Sequence, residues 1–420
     1  MLLKSDAINE KVVDSLLTRF LRYVKLDTQS DPESKTSPST AKQFELAKML
    51  KLELEDMGIV DVHLSNCCYL TGVLLSNSDK IKERVGIIAH LDTSPDAPGN
   101  GVSPQIIKSY NGKDIVLPKG DQQVIDVKEC SELKACIGHT IITSDGTTLL
   151  GADNKAGVAI IMESIKFLLN NPQIKHGDIV VLFTPDEEVG RGTEKIDLNK
   201  FAVDFAYTVD GGLPPVINKE TFSANSCEIR VKGRDIHPGA AKSIMINSLR
   251  AISEIISRLP IDVSPERTEN REPFIHPHTL SATVVEANLK MILRDFEESG
   301  LLAQEKLIKN IIVDVEKKFP GVMIECEIKK SYRNMLSVVE KNNVVTDRLE
   351  RAVRGAGLVP VWKPIRGGTD GAGLSAMGIP TPNIFTGGAN FHSKREWASL
   401  DCMALSLKTV IGVLSVEDAN

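Results

Sequence analysis

Residues 178–190, DIVVLFTPDEEVG, hold the reading on which the fold turns. An apolar, β-branched run drives toward a proline and stops on two adjacent glutamates. Neighbouring side chains of an extended strand point to opposite faces, so Glu187 and Glu188 can serve one site only where the chain is already turning. Working outward, RVGIIAHLD (84–92) and FAYTVDG (205–211) read as further strands, and LGADNKAGVAIIMESIKFLL (150–169) enters a helix through Gly157. Strands alternating with helices predict an α/β layer fold with a mostly parallel central sheet. Such sheets bind ligands at the carboxyl ends of their strands, and polar residues collect here after IIA, VVLF and AYTV.

The pattern changes near residue 220. SCEIRVKGRD reads as a strand, IMINSLRAISEIISRL as a helix, TLSATVVEANLKMILRDF as two strands turning at Ala287-Asn288, LLAQEKLIKNIIVDVEKKF as a long helix and MIECEIKKSY as a closing strand. The order β-α-β-β-α-β is a ferredoxin-like unit. The expected division is a catalytic domain over 1–220 and 336–420, interrupted by an insert over 221–335. The glycine- and proline-rich stretch VPVWKPIRGGTDGAGLSAMGIPTPNIFTGG (359–388) is expected to hold site loops.

The chain has 420 residues, enough for two domains with substantial cores. A formal charge of −6, with both signs mixed, argues against nucleic acid or an anionic membrane as the main partner. No apolar run approaches the roughly 20 residues of a membrane helix. The N-terminal stretch 1–26 carries charges throughout, and Val12, Leu16, Leu17, Phe20, Leu21 and Val24 recur at helical spacing. It reads as an amphipathic helix rather than a signal peptide. Seven cysteines without regular pairing suggest reduced, structural thiols and a cytoplasmic location.

His90 and Asp92 lie two apart at a strand end and so share a face, where a carboxylate can orient a ligating imidazole. Asp153 lies among Gly151, Ala152 and Gly157, which let the backbone approach closely; a metal ligand and a helix cap are both open to it. Asp210 follows AYTV, and His392 lies in the loop FTGGANFHSKREW. Taken together, His90, Asp153, Glu188, Asp210 and His392 are all imidazoles or carboxylates. Three acids, two neutral imidazoles and one hydroxide neutralise two divalent cations, and nitrogen and oxygen donors without thiolate favour zinc, with manganese or cobalt as substitutes. One of the two adjacent glutamates would bind metal and the other would take a proton from the metal-bridging water. Spacing alone permits either order.

At these residues the sequence resembles the dinuclear zinc metallopeptidases, the family that includes tripeptide aminopeptidases, aminoacylases and succinyl-diaminopimelate desuccinylase. The matching segments are HLDTSPD, LLGADNKAG, FTPDEEVG, YTVDGG, IHPGAAK, LRDF, IRGGTDGA and NIFTGG…FH, in order over most of the chain. FTPDEEVG with YTVDGG and RGGTDG points to the tripeptide aminopeptidase branch. The resemblance implies that His90, Asp153, Glu188, Asp210 and His392 hold two zinc ions per subunit, with Asp153 bridging. It makes Asp92 the residue that orients His90, and Glu187 the base. It also implies a phosphorylase/hydrolase-like catalytic domain, a lid that dimerises and short peptides as substrates.

In the insert, the resemblance makes His237 and Asn247 substrate-contact candidates, His237 as an oxyanion donor. Arg294 and Arg366 are candidates for the substrate carboxylate, which a planar guanidinium can grip with two hydrogen bonds. Asn154 stands where the family usually has an aspartate, and Pro273, Ile275 and Arg333 replace a glycine and two tyrosines, which bears on substrate preference. The main alternative in the same fold is a zinc amidohydrolase acting on N-acyl amino acids or dipeptides. A non-catalytic binding protein is disfavoured because Glu187 and every expected ligand are present.

Overall fold

The computed structural model describes residues 8–121 and 123–416; the first seven residues of the N-terminal stretch read above as helical lie outside it. The chain forms two units. The first runs to Lys219 and resumes over Met335–Lys363 and from Thr369 on; the second is Glu220–Asn334 with Pro364–Gly368. That last segment departs from the division read from sequence, which placed it in the catalytic part. It groups with the insert because Phe222 N donates to Ile365 O at 3.1 Å and Arg366 binds the carbonyls of the 268–272 loop.

In chain order, the amphipathic α1 (Glu10–Tyr23) buries Leu16, Phe20 and Tyr23 and is capped by Asn9. α2 (Gln43–Asp56), β1 (Val60–Leu64), β2 (Leu70–Leu74) and β3 (Arg84–His90) follow, then the short β4 (Gln105–Ile107) and β5 (Ile141–Thr143). α3 (Ala152–Asn170), β6 (Asp178–Thr184) and β7 (Phe205–Gly211) come next in the part of the first unit that precedes the insert. The second unit comprises β8 (Ser223–Lys232), α4 (Ser248–Arg258), β9 (Phe274–Ala282), β10 (Glu286–Asp295), α5 (Glu298–Lys318) and β11 (Met323–Tyr332). The chain then returns through α6 (Asn343–Gly355), α7 (Asp370–Ala376), β12 (Asn383–Phe385), β13 (Gly388–Ala389), β14 (Trp397–Ser399) and α8 (Leu400–Leu414).

The main sheet of the first unit runs β1-β2-β6-β3-β7-β12. β6, β3, β7 and β12 are parallel, and β2 joins β6 antiparallel at one side. Strands buried on both faces need apolar residues at successive positions, which is what IVVLF and VGIIA supply. Ile87, Val181 and Phe183 pack with α1, α3 and α8, whereas Ile88, Val180 and Leu182 pack on the opposite face with Phe201 and Leu374. Each fully buried side chain of this kind contributes about 1.5–3 kcal/mol of transfer free energy. Gly157 lets α3 lie against β7: a Cβ there would stand 2.1 Å from Val209 O. A smaller sheet, β13-β14-β5-β4, carries the loop of His392 between its first two strands.

The second unit is a four-stranded antiparallel sheet in the order β9-β10-β8-β11, the strand arrangement of a ferredoxin-like fold. Ile229, Leu289, Ile252, Ile308 and Val315 form its core with α4 and α5. The β9–β10 turn lies at Val284-Val285, not at Ala287-Asn288 as read from sequence. Thr283 N donates to Glu286 O at 2.7 Å and Glu286 N to Thr283 Oγ1 at 3.2 Å, which closes the hairpin and leaves Ala287 and Asn288 inside β10. Among the described residues no helix is long and apolar enough to cross a membrane.

Candidate metal centre

His90 is the last residue of β3, two per cent exposed. Its Nδ1 lies 3.0 Å from the backbone carbonyl of Asp92 and 3.5 Å from the Asp92 carboxylate. A proton on Nδ1 serves both acceptors, which turns the Nε2 lone pair toward Asp153 Oδ1 at 3.0 Å and Asp210 Oδ1 at 3.4 Å. Asp92 does more than the sequence suggested. Its two carboxylate oxygens accept the backbone N–H of Glu187 at 3.0 Å and of Glu188 at 3.2 Å. One buried acid thus fixes the end of β3 to the turn after β6.

That turn answers the geometric condition set by the adjacent glutamates. β6 ends at Thr184, Asp186 adopts left-handed backbone (φ 59°), and Glu187–Val189 forms a single 3-10 turn. Asp186 is held by a clamp from the start of α2 and the segment before it: its carboxylate accepts Ser39 N at 2.8 and 2.9 Å and Gln43 Nε2 at 2.7 Å. With the strand broken there, Glu188 Oε2 meets His392 Nε2 at 2.8 Å while Glu187 Oε2 lies 4.0 Å from His90 Nε2.

Asp153 stands at the start of α3 with non-helical backbone, as does Asn154. It does not cap the helix with its side chain. Its Oδ1 faces His90, and its Oδ2 faces His392 Nε2 at 3.3 Å. Glu396 holds it from behind, accepting the backbone N–H groups of Leu150, Gly151 and Asp153 at 2.8, 2.7 and 2.9 Å. His392, in left-handed backbone, is the most exposed member at 42%, and its Nδ1 lies 3.4 Å from Asp96 Oδ2.

Sequence reasoning missed Asp96, Asp186 and Glu396. Asp96 had a signal, four residues after Asp92 in HLDTSPD; the partners of the other two are distant in sequence. A further buried acid, Asp370, accepts a 2.5 Å hydrogen bond from Thr184 Oγ1. Asn154 is fully buried and accepts Gly157 N through Oδ1, while its Nδ2 has no hydrogen-bond partner.

Charge in this cluster is held by few partners. Burial raises the Glu188 carboxyl, with the Asp153 charge adding, to about 8. Burial also lifts Glu187 well above the usual carboxylate range and raises Asp210. For Asp153 burial acts in the same sense, but hydrogen bonds and charge from His392 and His90 outweigh it and hold the group low. Burial likewise opposes protonation of both imidazoles, yet the acids prevail: His90 is pushed well above 6.5 and His392 to about 11.

The protons so retained fall on the Nε2 atoms that face Asp153, where divalent cations would supply the same positive charge. Glu188 Oε1 is buried with no hydrogen-bond partner, as expected of a ligand atom. His90, Asp153 and Glu188 present ligand atoms within 4.8 Å of one another. The donors form two sets joined by the two oxygens of Asp153: His90 and Asp210 on one side, His392 and Glu188 on the other. Their N/O chemistry fits a pair of zinc-class cations.

The remaining candidates lie in the second unit. His237 is exposed and its Nδ1 accepts Gly239 N at 3.1 Å, which leaves the ring proton on Nε2. Asn247 caps α4, its Oδ1 accepting Leu249 N at 2.9 Å. Arg294 lies over the Tyr332 ring at 5.4 Å and donates through Nη1 to the carbonyls of Leu293 and Asn225. Arg366 is engaged through both terminal nitrogens: Nη1 and Nη2 donate to the carbonyls of Asn270, Glu272 and Thr268 and to Thr268 Oγ1, beside the rings of Phe222 and Phe274. It acts here as a brace for the 268–272 loop.

A family model, Peptidase family M20/M25/M40, matches residues 145–415. Peptidase T of Caldanaerobacter subterraneus subsp. tengcongensis is 44% identical over 404 residues, covering 96% of this chain and 99% of its own length. Among solved structures, a tripeptidase from Staphylococcus aureus superposes with a TM-score of 0.76 at 21% identity, covering 96% of this chain and 97% of its own. Aminopeptidase PepT from Bacillus cereus gives a TM-score of 0.73 at 21% identity, covering 96% and 98%. At that identity the two structures speak to the fold.

Proposed function

Because the chain belongs to peptidase family M20/M25/M40, and is therefore a metallopeptidase, we propose that it is a two-zinc aminopeptidase releasing the N-terminal residue of tripeptides. One observation carries the proposal: Asp153 offers one oxygen to each imidazole, while Glu188 reaches His392 at 2.8 Å and Glu187 stands off at 4.0 Å from His90. Two cations held by His90, Asp153, Asp210, Glu188 and His392 would supply the positive charge that polarises a peptide carbonyl and acidifies water. Glu187 takes the proton of the attacking water and returns it to the leaving amine. Asp92 keeps the two glutamates in register by holding both backbone N–H groups. His237 is assigned to the oxyanion and Asn247 to substrate contact, and Arg294 and Arg366 are candidates for the substrate carboxylate, which a planar guanidinium grips with two hydrogen bonds. The relatives named Peptidase T and the tripeptidase neighbour support that substrate class. A cytoplasmic homodimer, paired through the second unit, completes the proposal.

Hydrolysis of a dipeptide, a tripeptide, a tetrapeptide, the N-acetylated tripeptide and an N-acetyl amino acid, each with zinc and after chelation, tests it. Cleavage confined to the free tripeptide and abolished by chelation is expected. Preferential cleavage of the N-acetyl amino acid or the dipeptide would transfer the protein to the amidohydrolases and overturn the tripeptidase assignment.

A further inference from the structure

A second set of metal-ligating atoms comes together away from the peptidase centre. Cys136 ends the 3-10 turn Ser131–Cys136, His139 follows three residues later, and Cys402 lies in the first turn of α8. Their ligand atoms are all within 4.8 Å of one another, with both cysteines buried and His139 half-buried. His139 Nδ1 lies 3.9 Å from Cys402 Sγ. In a tetrahedral zinc site with Zn–S of about 2.3 Å and Zn–N of about 2.05 Å, the corresponding edge is about 3.6 Å, so closing onto a cation needs only small shifts.

The surroundings prepare these atoms for a cation. Ser399 Oγ lies 2.9 Å from His139 Nδ1 and accepts Cys402 N at 3.2 Å. A cation at Nδ1 takes the ring lone pair that faces this hydroxyl, and the Ser399 proton then turns to a neighbouring thiolate instead. Cys402 is the third residue after the N-cap Ser399, where the helix amides favour a thiolate. All seven cysteines are free.

We propose that Cys136, His139 and Cys402 bind a thiophilic divalent cation of the zinc class, as a structural site distinct from the peptidase centre. Two thiolates and a neutral imidazole balance the charge of such an ion in a buried setting, and thiolate donors select it over magnesium or calcium. Water takes the fourth position, at the half-buried edge beside His139. The ion joins residues 136–139 to the start of α8 directly after β14, and so staples the base of the β13–β14 hairpin that carries His392.

Cobalt substitution of the reduced protein tests this, because thiolate ligation gives an intense near-ultraviolet charge-transfer band that nitrogen and oxygen ligands do not. The band is expected in the wild type and lost in Cys136→Ser and in Cys402→Ser, while the visible bands of the peptidase centre persist. Its absence from fully reduced wild type, or its survival in both variants, overturns the proposal. A measurement on wild type alone guards against misfolded variants. Zinc should slow alkylation of Cys136 and Cys402 at least tenfold relative to the chelated protein, and equal rates would reject the site.

Discussion

Glu187 and Glu188 are neighbours whose carboxylates meet different partners: Glu188 pairs with His392 at 2.8 Å, whereas Glu187 lies 4.0 Å from His90, and in the proposed mechanism they take different tasks. Glu187→Gln should keep the shape and lose the proton acceptor. Turnover is expected to fall by roughly 10²–10⁴-fold with metal content unchanged; full activity in this variant would remove Glu187 from the mechanism. Asp370 permits a test that does not involve turnover. Burial raises its carboxyl from 3.8 to about 7. The folded state therefore binds a proton that the unfolded chain has released, so this group's favourable contribution is full below pH 4 and lost as pH rises through 7. Asp370→Asn removes that dependence. In metal-free protein, the variant should gain on wild type between pH 5 and 8 by on the order of 2–4 kcal/mol, read as unfolding midpoints at each pH. A gap that does not widen with pH would show that Asp370 is ionised throughout.

At the scale of elements, what matters is how closely α3 and its leading loop are held. Gly157→Ala would place a Cβ 2.1 Å from Val209 O and 2.4 Å from Asn154 Oδ1. α3 would have to lift from β7, at a cost of about 3 kcal/mol, visible as a lowered denaturant midpoint. Glu396 braces the same loop through three backbone N–H groups. Glu396→Gln offers an N–H where an acceptor is needed, and calorimetric titration should show metal affinity lower by roughly 10–100-fold. Unaltered affinity would mean that the loop holds its shape unaided. These supports also mark where sequence reading stops. Three of the candidate ligands, His90, Glu188 and Asp210, could be picked out because a β-branched run leads into each, whereas Asp153 at the start of α3 and His392 in a loop stood out only as members of the set. Glu396 under Asp153, and Gln43 under Asp186, carry no such mark, since each accepts a backbone N–H from a residue more than a hundred positions away. The β9–β10 turn was misplaced for a related reason. Asn288 is a favoured turn residue, but the closure is made by Thr283 and Glu286, and burial of Ala287 and Leu289 places them in the strand.

For the whole molecule, the alternation of strands and helices foretold the main sheet, and the β-α-β-β-α-β order foretold the second unit's sheet. Segment 364–368 was not foreseen, because it is too short to show any period. The proposed cations would tie together residues from 90 to 392, so metal removal should act on the stability of the first unit as well as on turnover. Ligand linkage is worth about 2.7 kcal/mol per site at one hundred times Kd. Chelation is therefore expected to lower the melting temperature by roughly 5–10 °C, measured by scanning calorimetry, with recovery on adding zinc. An unchanged melting temperature in metal-free protein would count against a cation pair at Asp153.

The place of β12 has a consequence for synthesis. This strand pairs with β7 and, through Asn383 Oδ1, accepts the backbone N–H of Asp210 at 3.1 Å. Yet about 170 residues separate Gly211 from Asn383, and the whole insert lies between them. At roughly 5–20 residues per second, a nascent chain carries β7 with one edge unpaired for about 10–30 s while the ribosome makes the insert. An apolar parallel strand in that state is a template for any other strand in reach. The insert thus lengthens the interval in which the unfinished chain depends on chaperones, and slowed translation of residues 212–382 would raise the yield of aggregates without altering any residue of the finished enzyme.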